Sequence, residues 1–140
     1  MAIPYLACMA LVANIYSLPP RVLPSIQAVE GGRNGAASLN ANGTEDLGLM
    51  QINTIWLDTL SRYTRLSAPV VRDRLLNQPC FNIAAAGLIV RTYLDEVRGD
   101  LLLAVGNYHS HTPVRNQSYQ AKVLRSAEAL FSARTRVAAR

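Results

Sequence analysis

A carboxylate stands at Glu30, at the end of an apolar helical run that begins at Arg21, and two glycines, Gly31 and Gly32, follow it at once. Glycines end a helix and let other backbone, or a ligand, approach closely. The pattern therefore sets the Glu30 carboxyl where a helix stops against a cleft. A carboxyl in that position is poorly solvated, and desolvation disfavours its ionised form and raises its pKa. A Glu tuned in this way keeps a proton near neutral pH and can donate it to a leaving oxygen. Glu30 is accordingly the candidate acid catalyst.

Sixteen residues on comes Asp46-Leu-Gly-Leu-Met-Gln-Ile-Asn53, preceded by Asn40-Ala-Asn-Gly-Thr-Glu45. The polar, Gly-bearing stretch predicts a turn or short hairpin. With Leu47, Leu49 and Ile52 toward a core, Asp46, Gln51 and Asn53 turn toward the cleft, so that two carboxylates and two amides converge there. Asp46 has two readings: a second carboxylate in the cleft, or a group holding the turn through backbone amides, as Asp often does. Glu45 points the other way by strand alternation and is read as a surface residue.

The elements that must position these groups are mainly helical. An N-terminal helix is expected within residues 1–20. A further helix follows Asn53 and carries Trp56, Leu57 and Leu60, another covers Val70 to Leu76, and apolar spacing runs from Phe81 to Arg98 with Gly99 at its end. Asp100 can cap the next helix, Leu101 to Asn107. An amphipathic C-terminal helix is predicted from Tyr119 to Val137, with Arg134, Arg136 and Arg140 at its negative end and a tail, 134–140, that can fray. The 140 residues, half of them apolar, read as one domain with a single core and no repeats. The fold class is mainly α (α+β), with helices around a groove and a small β-hairpin.

The net charge of +5 rests on thirteen Arg and one Lys, scattered along the chain. Such basicity attracts anionic polymers. No zinc finger, aromatic-rich RNA motif or clustered basic stripe is present, so a nucleic-acid partner is not expected. Met1 to Ala13 is apolar but lacks a basic leading segment and is too short to span a bilayer, and no later stretch reads as a membrane span. Cys8 and Cys80 suit buried thiols in a cytosolic protein and a bridge in a secreted one.

Glu30-Gly-Gly, Asn40-Ala-Asn-Gly, Asp46-Leu-Gly-Leu-Met-Gln-Ile-Asn53 with Trp56-Leu, Pro79-Cys-Phe-Asn-Ile83, and Val105-Gly-Asn-Tyr-His-Ser110 with Tyr119 together resemble the lytic transglycosylases of the lysozyme superfamily. The likeness runs from about Cys8 to Val123 and is strongest to the small, specialised members that accompany bacterial secretion, conjugation and pilus systems. It implies a lysozyme-like fold around a glycan-binding groove. It implies Glu30 as the sole indispensable acid/base, Gly48, Leu49, Met50 and Gln51 along the saccharide groove with Asn53, and Tyr108 steadying the centre. It also implies a Cys8–Cys80 disulfide, worth about 4 kcal/mol by the chain-entropy model. The residue after the catalytic Glu is usually Ser in this family and is Gly31 here.

The implied reaction cleaves the β-1,4 bond between N-acetylmuramic acid and N-acetylglucosamine through an oxocarbenium-like state. Glu30 protonates the leaving oxygen, then takes the proton of the C6 hydroxyl as that oxygen closes on C1, giving a 1,6-anhydro product. Asp46 keeps a lysozyme-type hydrolase open, and Gly31 keeps open a peptidoglycan-binding assembly factor of weak activity. Tyr108 is either a core aromatic or a hydrogen-bond partner of Glu30 or the sugar; His109, Ser110 and Tyr119 join the substrate-binding set, while His111 and Thr112 read as exposed loop. Two histidines are too few to hold a metal, and neither metal nor cofactor is expected. The bridge implies an oxidising compartment, so the chain is read as a periplasmic, mature form whose leader has been removed. A monomer positioned on peptidoglycan by a secretion, conjugation or pilus component completes the expectation.

Overall fold

The protein is described by a computed structural model covering residues 2–132. The N-terminal apolar stretch forms α1 (Leu6–Ile15), which buries Met9, Val12 and Ala13, and the Arg21 to Glu30 run forms α2 (Val22–Glu30). Three short strands follow, β1 (Ala37–Leu39), β2 (Glu45–Leu47) and β3 (Ile52–Asn53). They form an antiparallel sheet in the order β1-β2-β3, with Ser38 opposite Asp46 and Asp46 opposite Asn53. The predicted hairpin is thus present, with a third strand added by the return of the chain at Ile52. Leu47, Leu49 and Ile52 are buried, as the alternation requires.

The Asn53 side chain accepts from the Ile55 amide and starts a 3-10 turn, Thr54–Trp56, that leads into α3 (Leu57–Thr64). Next come α4 (Ala68–Asn77) and α5 (Pro79–Glu96). Helix α5 is the axis of the fold. It buries Ile83, Ala85, Ala86, Ile89, Val90 and Leu94 on much of its circumference, as a helix packed on several sides must. Helix α1 lies alongside it, joined at one end by the Cys8–Cys80 disulfide, and Arg91 donates to the Tyr16 carbonyl at 3.4 Å further along. The bridge implied by the resemblance is therefore present, and it ties the first helix to the central one.

Asp100 accepts from the Leu103 amide at 3.2 Å and caps α6 (Leu101–His109). Helix α7 (Pro113–Ala127) starts six residues before the predicted Tyr119, because Pro113 takes the first helical position, where its missing N–H costs nothing. It passes into a π-helical turn, Glu128–Ser132. The remainder of the predicted C-terminal helix, with Arg134, Arg136 and Arg140, lies outside the described residues. Helix α7 packs against α6 and α2, and Ser126 donates to the Ser25 carbonyl at 2.9 Å. No helix among the described residues is long and apolar enough to cross a membrane.

Glu45 departs from its reading as a plain surface residue. Its carboxylate takes two bonds, at 2.8 and 3.0 Å, from one terminal nitrogen of Arg72 on α4, and these tie the sheet to the helices.

Candidate functional site

Glu30 is the last residue of α2, and Gly31 closes the helix with φ 62, its amide donating to the Gln27 carbonyl at 2.8 Å. Gly32 makes the close approach anticipated from the sequence. A Cβ there would lie 2.2 Å from the Gly48 carbonyl oxygen and 2.5 Å from that of Leu49, so only glycine lets the segment after β2 lie against the end of α2. That segment is fixed from two further sides. Asn82 of α5 accepts from the Met50 amide at 2.8 Å and donates to the Leu47 and Leu75 carbonyls, each at 2.8 Å; Tyr108 of α6 donates to the Met50 carbonyl at 2.8 Å. Asn82 is buried with every polar atom used.

These contacts frame a cavity of about 420 Å³. Glu30, Asp46, Gln51, Asn53, Tyr108, His109 and Ser110 line it, so seven residues singled out in the sequence come together around one space. Gly48, Leu49 and Met50 do not line it. Met50 is fully buried and Leu49 nearly so, because their main-chain groups are drawn inward by Asn82 and Tyr108; they form the support beneath the groove and not its wall. Gln51 follows them in the left-handed region, φ 54, an unfavourable conformation for a residue with a side chain. Its amide and its side-chain nitrogen both donate to the Gly48 carbonyl, at 3.2 and 2.9 Å, which holds it there.

The bond to Glu30 expected as one role of Tyr108 is made by Tyr119 instead. Tyr108 reaches Met50 and not Glu30, while Tyr119 donates its hydroxyl to Glu30 Oε2 at 2.5 Å. The reason is helix packing: α7 runs against α2, so its inward residue at 119 meets the end of that helix, whereas Tyr108 on α6 faces the 48–51 segment. Tyr119 is itself buried behind the cavity, its ring stacked on His109 at 4.9 Å between centroids and 7° between planes. Asp46 holds no turn amide. Its Oδ1 accepts from Asn53 at 3.0 Å, the cross-strand neighbour on the same face, and Asn53 also donates to Thr44.

The Glu30 carboxyl is raised above the ordinary carboxylate range, first by burial and then by the negative charge of Asp46; the Tyr119 hydrogen bond and the Lys122 charge oppose the shift without cancelling it. Burial, followed by the nearby carboxylates Glu30 and Asp46, pushes the Tyr108 hydroxyl well up. Tyr119 is raised by burial and by Glu30, so it remains a donor. His109 is lowered by burial and by the cations Lys122 and Arg115, and is held toward its neutral form.

Sequence reasoning missed several lining residues. Trp56, Tyr93 and His111 form a row of edge-to-face rings, 5.7 and 5.1 Å between centroids, along the cavity. His111 is exposed in the loop after α6, as expected, and is bonded there to Glu96 at 2.9 Å. Tyr93 stands four residues after Ile89 on one face of α5, and a hydroxyl-bearing ring following the apolar run 83–90 was the available signal. Asn107 and Arg115 also line the cavity and carried no such signal.

A family model described as the transglycosylase SLT domain matches residues 8–129. Protein IpgF of Shigella sonnei is 29% identical over 141 residues, taking in 98% of this chain and 87% of that protein. Protein IpgF of Shigella flexneri is 29% identical over 125 residues, taking in 89% of this chain and 76% of that protein. The matched span takes in α2 with Glu30, the three strands and both tyrosine-bearing helices, every element that frames the cavity. The chain belongs to the transglycosylase SLT domain family and is a peptidoglycan lytic transglycosylase.

Proposed function

We propose that the cavity binds a peptidoglycan strand across Glu30 and that Glu30 protonates the oxygen between N-acetylmuramic acid and N-acetylglucosamine. The observation that carries the reading is a half-buried carboxyl at a helix end, raised in pKa and aimed by the Tyr119 hydroxyl, in a cavity lined by amides and aromatic rings. Burial keeps the proton available, and Tyr119 fixes which carboxylate oxygen is bonded and which is left to face the substrate. As the glycosidic bond breaks, the leaving oxygen takes that proton. The carboxylate, now a base, removes the proton of the C6 hydroxyl while its oxygen bonds to C1, giving a 1,6-anhydro end and returning Glu30 to its acid form. The sugar's own 2-acetamido group assists at C1, so no second carboxylate is needed.

Asp46 supports a second reading. It lines the same cavity and its charge acts on Glu30, which suits stabilisation of an oxocarbenium-like centre and a hydrolytic outcome. Digestion of purified sacculi followed by mass spectrometry of the muropeptides separates the two: anhydro ends support the transglycosylase reaction, reducing ends the hydrolase. Glu30→Gln abolishes product while leaving the fold intact; turnover retained in that variant overturns the assignment.

The Cys8–Cys80 bridge supports a periplasmic setting for the reaction, an oxidising compartment that holds peptidoglycan. The biological role is the opening of local gaps in the wall for a secretion or conjugation apparatus, a reading supported by the likeness of the motifs to the small specialised transglycosylases. Gly31 bears on rate more than on fold: a Cβ there would meet no atom within 4 Å, but its φ of 62 suits glycine and disfavours the family's usual Ser.

A further inference from the structure

Asn107 lies at the cavity and is almost wholly buried. Its orientation is set by a relay of amides. Gln120 donates to Asn116 Oδ1 at 2.5 Å, and Asn116 Nδ2 faces three acceptors: Asn107 Oδ1 at 2.8 Å and the main-chain carbonyls of Leu103 and Ser110, both at 3.3 Å. Main-chain carbonyls only accept, so the Asn116 nitrogen must face them, and Asn107 must turn its oxygen to Asn116. Gly106 makes room for the arrangement, since a Cβ there would lie 2.0 Å from Asn116 Oδ1. The Asn107 Nδ2 group is left over. It donates to nothing among the described residues, yet no side-chain polar atom fully shielded from solvent lacks a partner, so this donor opens onto the cavity.

We infer that Asn107 is a substrate-binding residue whose side-chain amide donates to the carbonyl oxygen of a sugar 2-acetamido group. An amide nitrogen with its oxygen already committed offers donors alone, and an amide carbonyl is the strongest neutral acceptor on an N-acetylated glycan. The relay from Gln120 through Asn116 holds the donor in place before the sugar arrives, so little ordering is lost on binding. The inference rests on the cavity being the glycan site. It adds a device by which the protein separates N-acetylated strands from glycans that carry hydroxyls at the same position.

The test is a titration of the Glu30→Gln protein, which prevents turnover, with tetra-N-acetylchitotetraose and with cellotetraose, a neutral chain of the same linkage without acetamido groups. The Asn107 side-chain amide resonances, identified by their loss in Asn107→Asp, move on saturation with the first sugar and not with the second. Asn107→Asp keeps the acceptor that Asn116 needs, and it weakens tetra-N-acetylchitotetraose roughly ten-fold, the loss expected for one donor. Amide resonances unmoved at saturation, equal movement with both sugars, or no binding of the acetylated sugar would each overturn the inference. Sacculus digestion that still requires Glu30 would leave the catalytic reading standing when this one fails, and an amide that moves in a protein that cuts no sacculi would show the reverse.

Discussion

Replacing Asn82 by Leu removes three buried hydrogen bonds, each 2.8 Å long, at one point, while keeping the number and branching of the side-chain heavy atoms. The Met50 amide has no other partner among the described residues and becomes an unsatisfied buried donor. The Leu47 and Leu75 carbonyls each lose one bond. An orphaned buried donor costs roughly 1–3 kcal/mol and each lost neutral bond about 1 kcal/mol, so the expected destabilisation is about 3 kcal/mol. In a chain of this length that lowers the melting temperature by roughly 10 °C. The loss is to be read by urea unfolding and calorimetry. Because Met50 is the residue that Asn82 and Tyr108 hold between them, the same variant loosens the turn that carries Gln51 into the cavity. Sacculus cleavage should therefore fall even at temperatures where the variant remains folded. A destabilisation under about 1 kcal/mol would show that the three bonds are replaced by water or by rearrangement, and would refute the reasoning.

Glu30 holds its proton above the ordinary carboxylate range, so the acid step is available at low pH and is lost as pH rises through the raised value. Tyr119→Phe removes a bond that favours the carboxylate and should move this limb of the pH–rate profile to higher pH, whereas Asp46→Asn removes a charge that disfavours it and should move the limb to lower pH; shifts in the same direction would contradict the assignment of causes. The folded state also binds the Glu30 proton more tightly than the unfolded chain, so stability from this group is present at acid pH and lost as pH rises toward the folded value. Glu30→Gln should consequently melt above the wild type near pH 8, with the gap closing near pH 4, and equal melting points at both would argue against a buried carboxyl. Reduction of Cys8–Cys80, which lie 72 residues apart, should cost about 4 kcal/mol and roughly 14 °C in melting temperature, measured by calorimetry with and without dithiothreitol.

Features governed by neighbouring residues were legible in the chain. The stop of α2 at Gly31, the hairpin at 40–44 and the inward turn of Leu47, Leu49 and Ile52 all follow from local conformational rules. Contacts between elements were not. Asn82 stands in a recognised run, yet its partners at Leu47 and Met50 lie 35 and 32 residues away, and nothing in Pro79 to Ile83 indicates which carbonyls it meets. Tyr108 and Tyr119 are both candidates for Glu30 by type, and only the packing of α7 on α2 decides between them. Met50 illustrates a related ambiguity: an apolar residue among polar ones suits a groove wall or a core equally, and the hydrogen bonds of its main chain resolve the choice.

The electrostatics of the site turn on a competition at one carboxyl. A tyrosine hydroxyl and a lysine charge both favour the ionised form of Glu30, and burial with a neighbouring aspartate favours the protonated one; the net shift of the pKa is upward because burial is the largest of the four. Tyr119 therefore does not act chiefly by tuning the acid. Its bond opposes the shift the acid needs, and its value must lie in geometry, in holding one oxygen so that the other is presented to the substrate. The packing serves the same end. Gly32 lets the 48–51 segment close over the end of α2, and Asn82 and Tyr108 hold that segment down beside Glu30. A strand of glycan lying in the cavity, as proposed, would remove water from around Glu30. Burial, already the dominant influence in the free protein, would then grow as substrate binds, so that the proton would be held most firmly when a leaving oxygen is present to receive it.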